Sequence, residues 1–485
     1  MEPPVPQHKR SAFRIPARRA VPVAVLSVAS ALALYATLAA PSATAAPTVR
    51  SDFNGDGYAD LAVGVPGGSA DGIAKAGFVH ILWGSANGLD GTATKISQAS
   101  EGIPGTAEAA DRFGFAVQAA DFDDDGFADL AVTAPGEQVT DTSTTHEGAA
   151  YVLWGSAKGL KSGLTVAKGV DGQQLGRLLT AGDYDDDGDQ DLVLTVAGEE
   201  GGSAMLRPGP LTKEQPLDLV EGYDFGDARA LTSADFDGDG TDDLAATFQG
   251  TESSGTRVRT LVSGTWTTLW RTTDFGTALA AGDFDGDGRK DLAIGDVHAN
   301  SEAESTYCED RLGGAVATVY GAAGSTLGGK VTCTTQSSPE VGGTAESGDN
   351  FGASLAVADL GGSGDGLLAG ASHEAVGSVA KAGAYWELRA GSDGVFTGPS
   401  FTQNSSGIAG TAEEGDLFGT ALTSAPYDDA HHGDLVIGAP GENAGTGGVW
   451  YRPSAGDATR LAAVSFTPGK LDLSGAVAYG GVLGK

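Results

Sequence analysis

The chain has 485 residues, of which 29 are basic and 64 are acidic, so its formal net charge is −35. Such an acidic surface repels nucleic acid and anionic membranes, which excludes both as favourable partners. The length allows two or three domains or one large repeat architecture, and the 76 glycines indicate a chain rich in turns.

The N-terminal segment has the parts of a secretory signal peptide. Five basic residues lie within residues 9–19, an apolar stretch runs from Val21 to Ala40, and "ATA" at 43–45 offers a cleavage site. We therefore predict a signal peptide over 1–45, a mature domain over 46–485, and a secreted, extracellular protein without membrane insertion after cleavage. An uncleaved membrane anchor is the alternative, because the apolar stretch is long enough to span a bilayer.

The mature chain opens on an acidic loop followed at once by an apolar run. In "DFNGDGYADLAVGVP", which starts at Asp52, oxygen-bearing side chains occupy positions 1, 3, 5 and 9. A glycine at position 6 allows a tight backbone turn, so these four side chains can converge on one centre.

This stretch recurs six more times, at intervals of 48 to 76 residues. An aromatic residue or Leu stands second in every copy, and a Leu stands tenth, which keeps the frame where acidic residues are lost. The copies start at Asp52, Asp121, Asp183, Asp235, Asp283, Asp359 and Pro426.

Apolar runs closed by Gly-rich turns fill the rest of each repeat. Segments such as "DLAVTAP" and "GAAYVLWGSAKGL" predict about four strands per repeat, and no long stretch has helical periodicity. Seven such units predict an all-β fold, a seven-bladed β-propeller, with a solenoid as the main alternative.

Five acidic loops are complete and predict five Ca²⁺ sites. Carboxylates this close together repel one another without a cation, and a hard oxygen donor set favours Ca²⁺ over Mg²⁺. The backbone carbonyl of position 7 is expected to add a ligand. The predicted ligands are Asp52, Asn54, Asp56, Tyr58 and Asp60; Asp121, Asp123, Asp125, Phe127 and Asp129; Asp183, Asp185, Asp187, Asp189 and Asp191; Asp235, Asp237, Asp239, Thr241 and Asp243; and Asp283, Asp285, Asp287, Arg289 and Asp291.

The chain has two cysteines, Cys308 and Cys333. In an exported protein a structural disulfide is the expected state, rather than two free thiols. The spacing of the two residues, without matching histidines, does not form a zinc motif.

The C-terminus supplies a candidate for closing the ring. The first repeat has no apolar strand before its loop, whereas "LSGAVAYGG" (473–481) lies unpaired at the far end of the chain. When this segment is aligned with "FGTALAAGD", Leu473 takes the place of Phe. We predict that residues 472–481 form the innermost strand of the first blade, which removes two exposed sheet edges.

These repeats resemble the FG-GAP family, whose units build the propeller head of integrin α subunits. The resemblance rests on the acidic loops, on "GVP", "TAP" and "GAP" at Gly64, Thr133 and Gly438, and on FG pairs at Phe113, Phe275, Phe351 and Phe418. It implies Ca²⁺ loops on one face, between the first two strands of each blade, and partners on the opposite face.

The last two copies depart from the family pattern. In the predicted frame the sixth loop has Gly361, Ser363 and Leu367 at positions 3, 5 and 9, and the seventh has Pro426 and Ala430 at positions 1 and 5. We expect both loops to lack calcium.

Two classes of function remain open. The first, which we favour because the repeats use up the mature chain, is a non-catalytic recognition or adhesion module. Its partner would be an extracellular protein or glycan, and we expect a monomer. The second is an extracellular propeller enzyme acting on polysaccharide or ester substrates.

Overall fold

The repeats form seven antiparallel sheets arranged as the blades of a β-propeller, which confirms the predicted fold class. The computed structural model describes residues 51–484 except 141–144, 171, 198–201, 213–217, 222–227, 250–253, 274–275, 298–306, 309–310, 323–324, 429–432, 455–461, 472 and 474. The predicted signal peptide, Phe275 and Ala430 lie outside these residues.

Six of the blades are continuous in sequence, and the first takes its innermost strand from the C-terminus. The first blade contains β1 (Leu61–Val65), β2 (Phe78–Leu82) and β3 (Ala93–Ile96). The second contains β4 (Val117–Ala120), β5 (Asp129–Ala134), β6 (Ala149–Trp154) and β7 (Ser162–Lys168). The third contains β8 (Leu179–Gly182), β9 (Asp191–Val196), β10 (Ser203–Arg207) and β11 (Asp218–Glu221). The fourth contains β12 (Leu231–Ala234), β13 (Asp243–Gln249), β14 (Ser254–Val262) and β15 (Thr265–Thr272).

The remaining blades follow the same order. The fifth contains β16 (Ala278–Gly282), β17 (Asp291–Asp296), β18 (Ala315–Ala322) and β19 (Ser325–Thr334). The sixth contains β20 (Phe351–Ala358), β21 (Gly366–Ala371), β22 (Ala384–Ala390), β23 (Phe396–Thr397) and β24 (Ser400–Phe401). The seventh contains β25 (Ala421–Ala425), β26 (Asp434–Ala439), a short helical turn α1 (Glu442–Gly445), β27 (Gly448–Arg452) and β28 (Val464–Phe466). A 3₁₀ turn (Pro468–Lys470) precedes β29 (Val482–Leu483).

The hydrophobic core lies between neighbouring blades. The second strands are continuous apolar runs, and β1, β5, β9, β17, β21 and β26 are buried along their whole length. A strand that is covered on both faces has a continuous apolar sequence, without alternation of apolar and polar residues. One cluster joins Val79 of the first blade to Leu130 and Tyr151 of the second, so burial ties each blade to the next.

The ring closes where the sequence predicts, because β29 pairs with β1. Val63 pairs with Leu483 and Gly64 pairs with Val482 in an antiparallel register. Tyr479 is fully buried beside residues of the first and seventh blades. The C-terminal segment therefore supplies the innermost strand of the first blade.

The predicted frame of this segment was wrong by six residues. The strand is Val482–Leu483 rather than 472–481, and Tyr479 takes the place that the sequence alignment gave to Leu473. Tyr479 bridges Gly447 in parallel, as Phe418 bridges Gly383 and Phe113 bridges Gly77. Tyr479-Gly480 is thus the FG pair of the first blade.

The glycine of the "GAP" segments is required by close contact between blades. A Cβ on Gly438 would lie 1.9 Å from the carbonyl oxygen of Gly480, and one on Gly64 would lie 2.2 Å from that of Gly114. The FG glycine of one blade therefore approaches the "GAP" glycine of the preceding blade too closely for any side chain.

The predicted disulfide is present between Cys308 and Cys333. Their Cα atoms are 5.5 Å apart, and 25 residues separate them in sequence. Cys333 lies on the outer strand β19, opposite Ala317 of β18. The bond therefore ties the long segment after β17 to the outer edge of the fifth blade.

Closure by Tyr479 predicts a large effect of one substitution. Tyr479→Ala removes a fully buried ring and its 3.0 Å hydrogen bond with His80, so we expect a loss of about 3 kcal/mol or more in the free energy of unfolding. The matched control is Leu473→Ala, which truncates a half-buried side chain and should cost clearly less. Denaturant unfolding measures both, and equal losses for the two variants would contradict the closure frame.

Candidate metal centres in the acidic loops

Four of the complete acidic loops join the first and second strands of their blades, and the first loop directly precedes the second strand β1, so all five loops lie at the same end of the ring. The aspartate at position 1 organises the loop through backbone N–H groups. Asp52 Oδ1 accepts hydrogen bonds from Gly55 (2.7 Å) and Asp56 (3.2 Å), and its Oδ2 accepts one from Gly57 (2.8 Å). The N–H of position 6 donates to position 1 in the other four loops as well, at 2.9–3.1 Å.

The glycine at position 6 has the left-handed conformation that the sequence predicts. Its φ is +94° at Gly57, and it lies between +87° and +98° in the other four loops. An L side chain rarely adopts this conformation, so glycine at this position allows the chain to curl around the first carboxylate.

This curl brings carboxylates together. In four loops, three carboxylate oxygens lie within 4.8 Å of one another; the sets are Asp121, Asp123 and Asp129; Asp183, Asp185 and Asp191; Asp235, Asp237 and Asp239; and Asp283, Asp285 and Asp291. The first loop has an amide at position 3 instead, and Asn54 Nδ2 donates to Asp56 Oδ2 at 3.1 Å. In each of these four loops the structure thus groups three of the four predicted carboxylates, and the sets leave out Asp125, Asp187, Asp243 and Asp287.

The carboxylates at position 5 are held by the backbone of position 7. The N–H groups of Tyr58, Phe127, Asp189, Thr241 and Arg289 donate to the aspartate two residues earlier, at 2.9–3.1 Å. In the fifth loop the Arg289 guanidinium also pairs with Asp287. A role of the position 7 carbonyls as ligands stays a prediction.

The aspartate at position 9 is the most buried acid of each loop. Asp60 is 1% exposed, and its two oxygens accept hydrogen bonds from the N–H groups of Phe53 and Gly84, both at 2.9 Å. The corresponding oxygens of Asp129, Asp191 and Asp291 accept from the position 2 residue and from Gly155, Gly209 and Gly321. Gly84, Gly155 and Gly209 follow the third strand, and Gly321 lies near the end of it. The recurring "LWGS" of the first two blades is the signal that could have identified the first two of these glycines.

Burial perturbs the acids at position 9 strongly. It raises the pKa of Asp60 to about 8, and the charges of Asp52 and Asp56 add to this while the two backbone N–H groups oppose it. Burial likewise raises the pKa of Asp129, Asp191, Asp243 and Asp291 to about 7. At neutral pH, ionising these groups therefore costs free energy unless a positive charge is near.

Two carboxylate oxygens of the clusters are buried and lack a hydrogen-bond partner within the described part of the chain: Asp123 Oδ1 and Asp183 Oδ1. Buried polar atoms are normally paired. Burial also raises the pKa of Asp123, and the charges of Asp125 and Asp121 add to it. Oxygens without donors, in a cluster of like charges, fit a bound cation.

The sixth loop is one residue shorter than the sequence frame assumes. Ala358 pairs with Gly366, whereas the corresponding residues of the other blades, such as Ala120 and Gly282, pair with the position 9 aspartate. Position 9 is therefore Gly366 rather than Leu367. The loop loses the buried carboxylate as well as the acids at positions 3 and 5.

The seventh loop keeps its buried aspartate and loses the rest. Asp434 accepts hydrogen bonds from the Ser454 N–H (2.6 Å) and the Tyr451 hydroxyl (3.0 Å), and burial raises its pKa to about 6. Pro426 occupies position 1 and has no carboxylate to offer. This loop therefore keeps the aspartate that is hydrogen-bonded to Tyr451 and Ser454, but it lacks part of the ligand set.

Comparison with protein families finds FG-GAP repeats over residues 43–82 and 113–153 and an FG-GAP-like repeat over 235–294. Relatives include phosphatidylinositol-glycan-specific phospholipase D of Rattus norvegicus, 36% identical over 183 residues, which are 37% of this chain and 21% of the relative. The proteins of the same name from Bos taurus and Homo sapiens are 37% and 35% identical over 155 residues, 31% of this chain and 18% of each relative. The chain thus spans about a fifth of the length of these relatives.

None of the helices in the described ranges has the length and apolar character that crossing a membrane requires.

The raised pKa values at position 9 predict how stability depends on pH without metal. An acid with a higher pKa in the folded than in the unfolded state favours folding below its unfolded value of 3.8, and this contribution is lost as pH rises through the folded value of about 7. In chelator, the melting temperature should therefore fall between about pH 5 and about pH 8. Calcium should reverse the trend, because its ligands must be ionised. Thermal melts with and without calcium test this, and a metal-free protein that gains stability over this range would contradict it.

Proposed function

We propose that this chain, a seven-bladed β-propeller with FG-GAP repeats, is a secreted calcium-binding module that recognises an extracellular partner without catalysis. The observation that carries the calcium assignment is the convergence of three carboxylate oxygens within 4.8 Å in four loops of one design. The remaining site lies in the first loop, which starts at Asp52, and it has the Asn54 amide oxygen in place of one carboxylate.

The donor set supports Ca²⁺ among the common cations. Carboxylates, an amide and backbone carbonyls are hard oxygen ligands, and Ca²⁺ accepts six to eight of them in flexible geometry. The loops contain no sulfur or imidazole ligand. We expect affinities on the order of 10⁻⁴ to 10⁻³ M, as in extracellular calcium modules, so the sites fill at millimolar calcium.

The recognition role rests on the arrangement of the two ends of the ring. The acidic loops take up one end, and the segments between second and third strands lie at the other, where the disulfide holds the longest of them. We propose that an extracellular protein or glycan binds this second end of a monomeric propeller. Export through the predicted signal peptide is part of the same proposal.

A second candidate function is favoured by the comparisons. The relatives are named as phospholipases D, and the matched part is about a fifth of each of them. We therefore retain, as the alternative, an extracellular enzyme acting on ester or polysaccharide substrates.

If the loops bind calcium, one variant should shift the melting temperature differently in calcium and in chelator. Asp285→Asn keeps the shape and one acceptor oxygen at position 3 of the fifth loop but removes a charge. In calcium it should lower the melting temperature, because a ligand is weakened; in chelator it should leave the melting temperature unchanged or raise it, because burial and the charges of Asp287 and Asp283 raise the pKa of Asp285. The matched control is Asp359→Asn in the sixth loop, which should respond equally in both conditions. Equal responses of the two variants would count against calcium in the loops.

Recognition and catalysis are separated by parallel assays in millimolar calcium. We expect the protein to bind members of a glycan array or an extracellular protein library, and to lose this binding in chelator. Panels of phosphodiester, carboxylic ester and polysaccharide substrates should show no turnover. Turnover that survives repurification and is lost with the propeller fold would replace the recognition proposal with the enzyme.

A further inference from the structure

A second kind of acidic cluster recurs at the end of the ring opposite the acidic loops. It lies at three junctions between blades, where "GTAE" and an aspartate three residues later precede the FG pair or its equivalent. Each junction cluster combines a Gln that follows the outer strand of one blade, an Asp from the connector, and a Glu that follows the second strand of the next blade. The clusters are Gln98, Asp111 and Glu137; Gln336, Asp349 and Glu374; and Gln403, Asp416 and Glu442.

The three clusters share one geometry. The Gln Nε2 donates to the Glu carboxylate at 2.6 Å in every case. The Asp Oδ2 accepts a hydrogen bond from the backbone N–H three residues earlier, at 2.5–2.6 Å. Because the same arrangement occurs at three junctions, it is a regular feature of the repeat.

In each cluster a buried Asp lies beside a Glu that is buried or half-buried. Asp111 and Asp416 are 1% exposed, and Asp349 is 4% exposed. Burial raises the pKa of Glu374 to about 7, and the charge of Asp349 adds to it. The neighbouring charges that raise the pKa of Glu442 are likewise acidic, those of Asp416 and Glu413. The clusters thus carry like charges that repel one another.

The glutamine side chains give independent evidence of a ligand, because their oxygen atoms are buried and unpaired. Gln98, Gln336 and Gln403 are 5%, 1% and 1% exposed, and the Oε1 of each is buried without a hydrogen-bond partner among the described residues. A buried carbonyl-type oxygen without a donor costs free energy. The same unpaired atom at three equivalent places points to something that the three sites share.

Further oxygens converge on this atom at the junction of the fifth and sixth blades. A Cβ on Gly313 would lie 2.6 Å from Gln336 Oε1, 2.9 Å from the Glu346 carbonyl oxygen and 3.1 Å from Asp349 Oδ2. Three acceptor oxygens, one from the end of the outer strand and two from the connector, therefore lie close to one another beside this glycine.

We propose that each junction cluster binds a calcium ion through the Gln oxygen, the Asp and Glu carboxylates and a backbone carbonyl. All of these are hard oxygen ligands of the kind that Ca²⁺ prefers, and bidentate carboxylates or water would complete its six to eight positions. One shared proton would relieve the repulsion of the two acids but leave the glutamine oxygen unpaired, whereas a cation meets both needs. These ions join consecutive blades at the end opposite the acidic loops.

The test uses Glu374→Gln, which keeps the size of the side chain and removes one charge. Calorimetric titration of metal-free protein should find one ion fewer than in the native chain, and calcium should raise the melting temperature of the variant less. In chelator the variant should melt at the native temperature or above it. Glu442→Gln repeats the test at another junction in case the first variant folds poorly, and Glu414→Gln, at an exposed acid beside that junction, is the control with native behaviour.

The proposal is overturned if Glu374→Gln and Glu442→Gln bind as many ions as the native chain and keep the full stabilisation by calcium. The clusters would then hold a proton or water. This outcome is distinct from failure of the loop sites, because Asp285→Asn reports on the fifth loop alone.

Discussion

Six of the seven blades depend on one buried carboxylate, the aspartate at position 9 of the acidic loop. In the first, second, third and fifth blades it accepts one backbone N–H from the aromatic residue at position 2 and another from the end of the third strand, as Asp129 does with Phe122 and Gly155. The first contact shapes the loop, and the second fixes the third strand against it. A carboxylate makes both bonds at once because it has two acceptor oxygens.

This arrangement places charge where water cannot reach it. Charge-assisted hydrogen bonds from the backbone offset part of the cost, yet burial still raises the pKa of Asp60 to about 8. The remaining acids of the loop add repulsion. A divalent cation between them turns this cost into a cohesive interaction, so the stability of the ring should depend on calcium. The seventh loop lacks part of the ligand set, and there the Tyr451 hydroxyl donates to the buried Asp434 as a neutral partner.

The repeat pattern was sufficient to predict the blades, the loops and closure, because a motif repeated seven times sets its own frame. It was insufficient where the frame had to be chosen from few residues. In the sixth loop, adjacent Leu367 and Leu368 both suit the apolar position, so a deletion of one residue was invisible. At the C-terminus, small residues around 473–481 aligned well in the wrong frame, whereas the aromatic-glycine pair Tyr479-Gly480 was the informative signal.

Contacts distant in sequence could not be predicted in the same way. The distant donors to the acids at position 9 lie 18 to 30 residues away, at the end of a different strand, as Gly321 does for Asp291. The junction clusters also combine residues from two blades, as Gln98 and Glu137 do across 39 residues. Their parts are ordinary polar residues in sequence, and only the ring brings them together.

The most direct test of calcium binding by the acidic loops is a crystal structure of the protein grown in calcium, with anomalous differences used to locate the ions. We predict a peak in each of the loops that start at Asp52, Asp121, Asp183, Asp235 and Asp283, and none in the loops that start at Asp359 and Pro426. Loops with their carboxylates turned apart and no anomalous peak between them would contradict it.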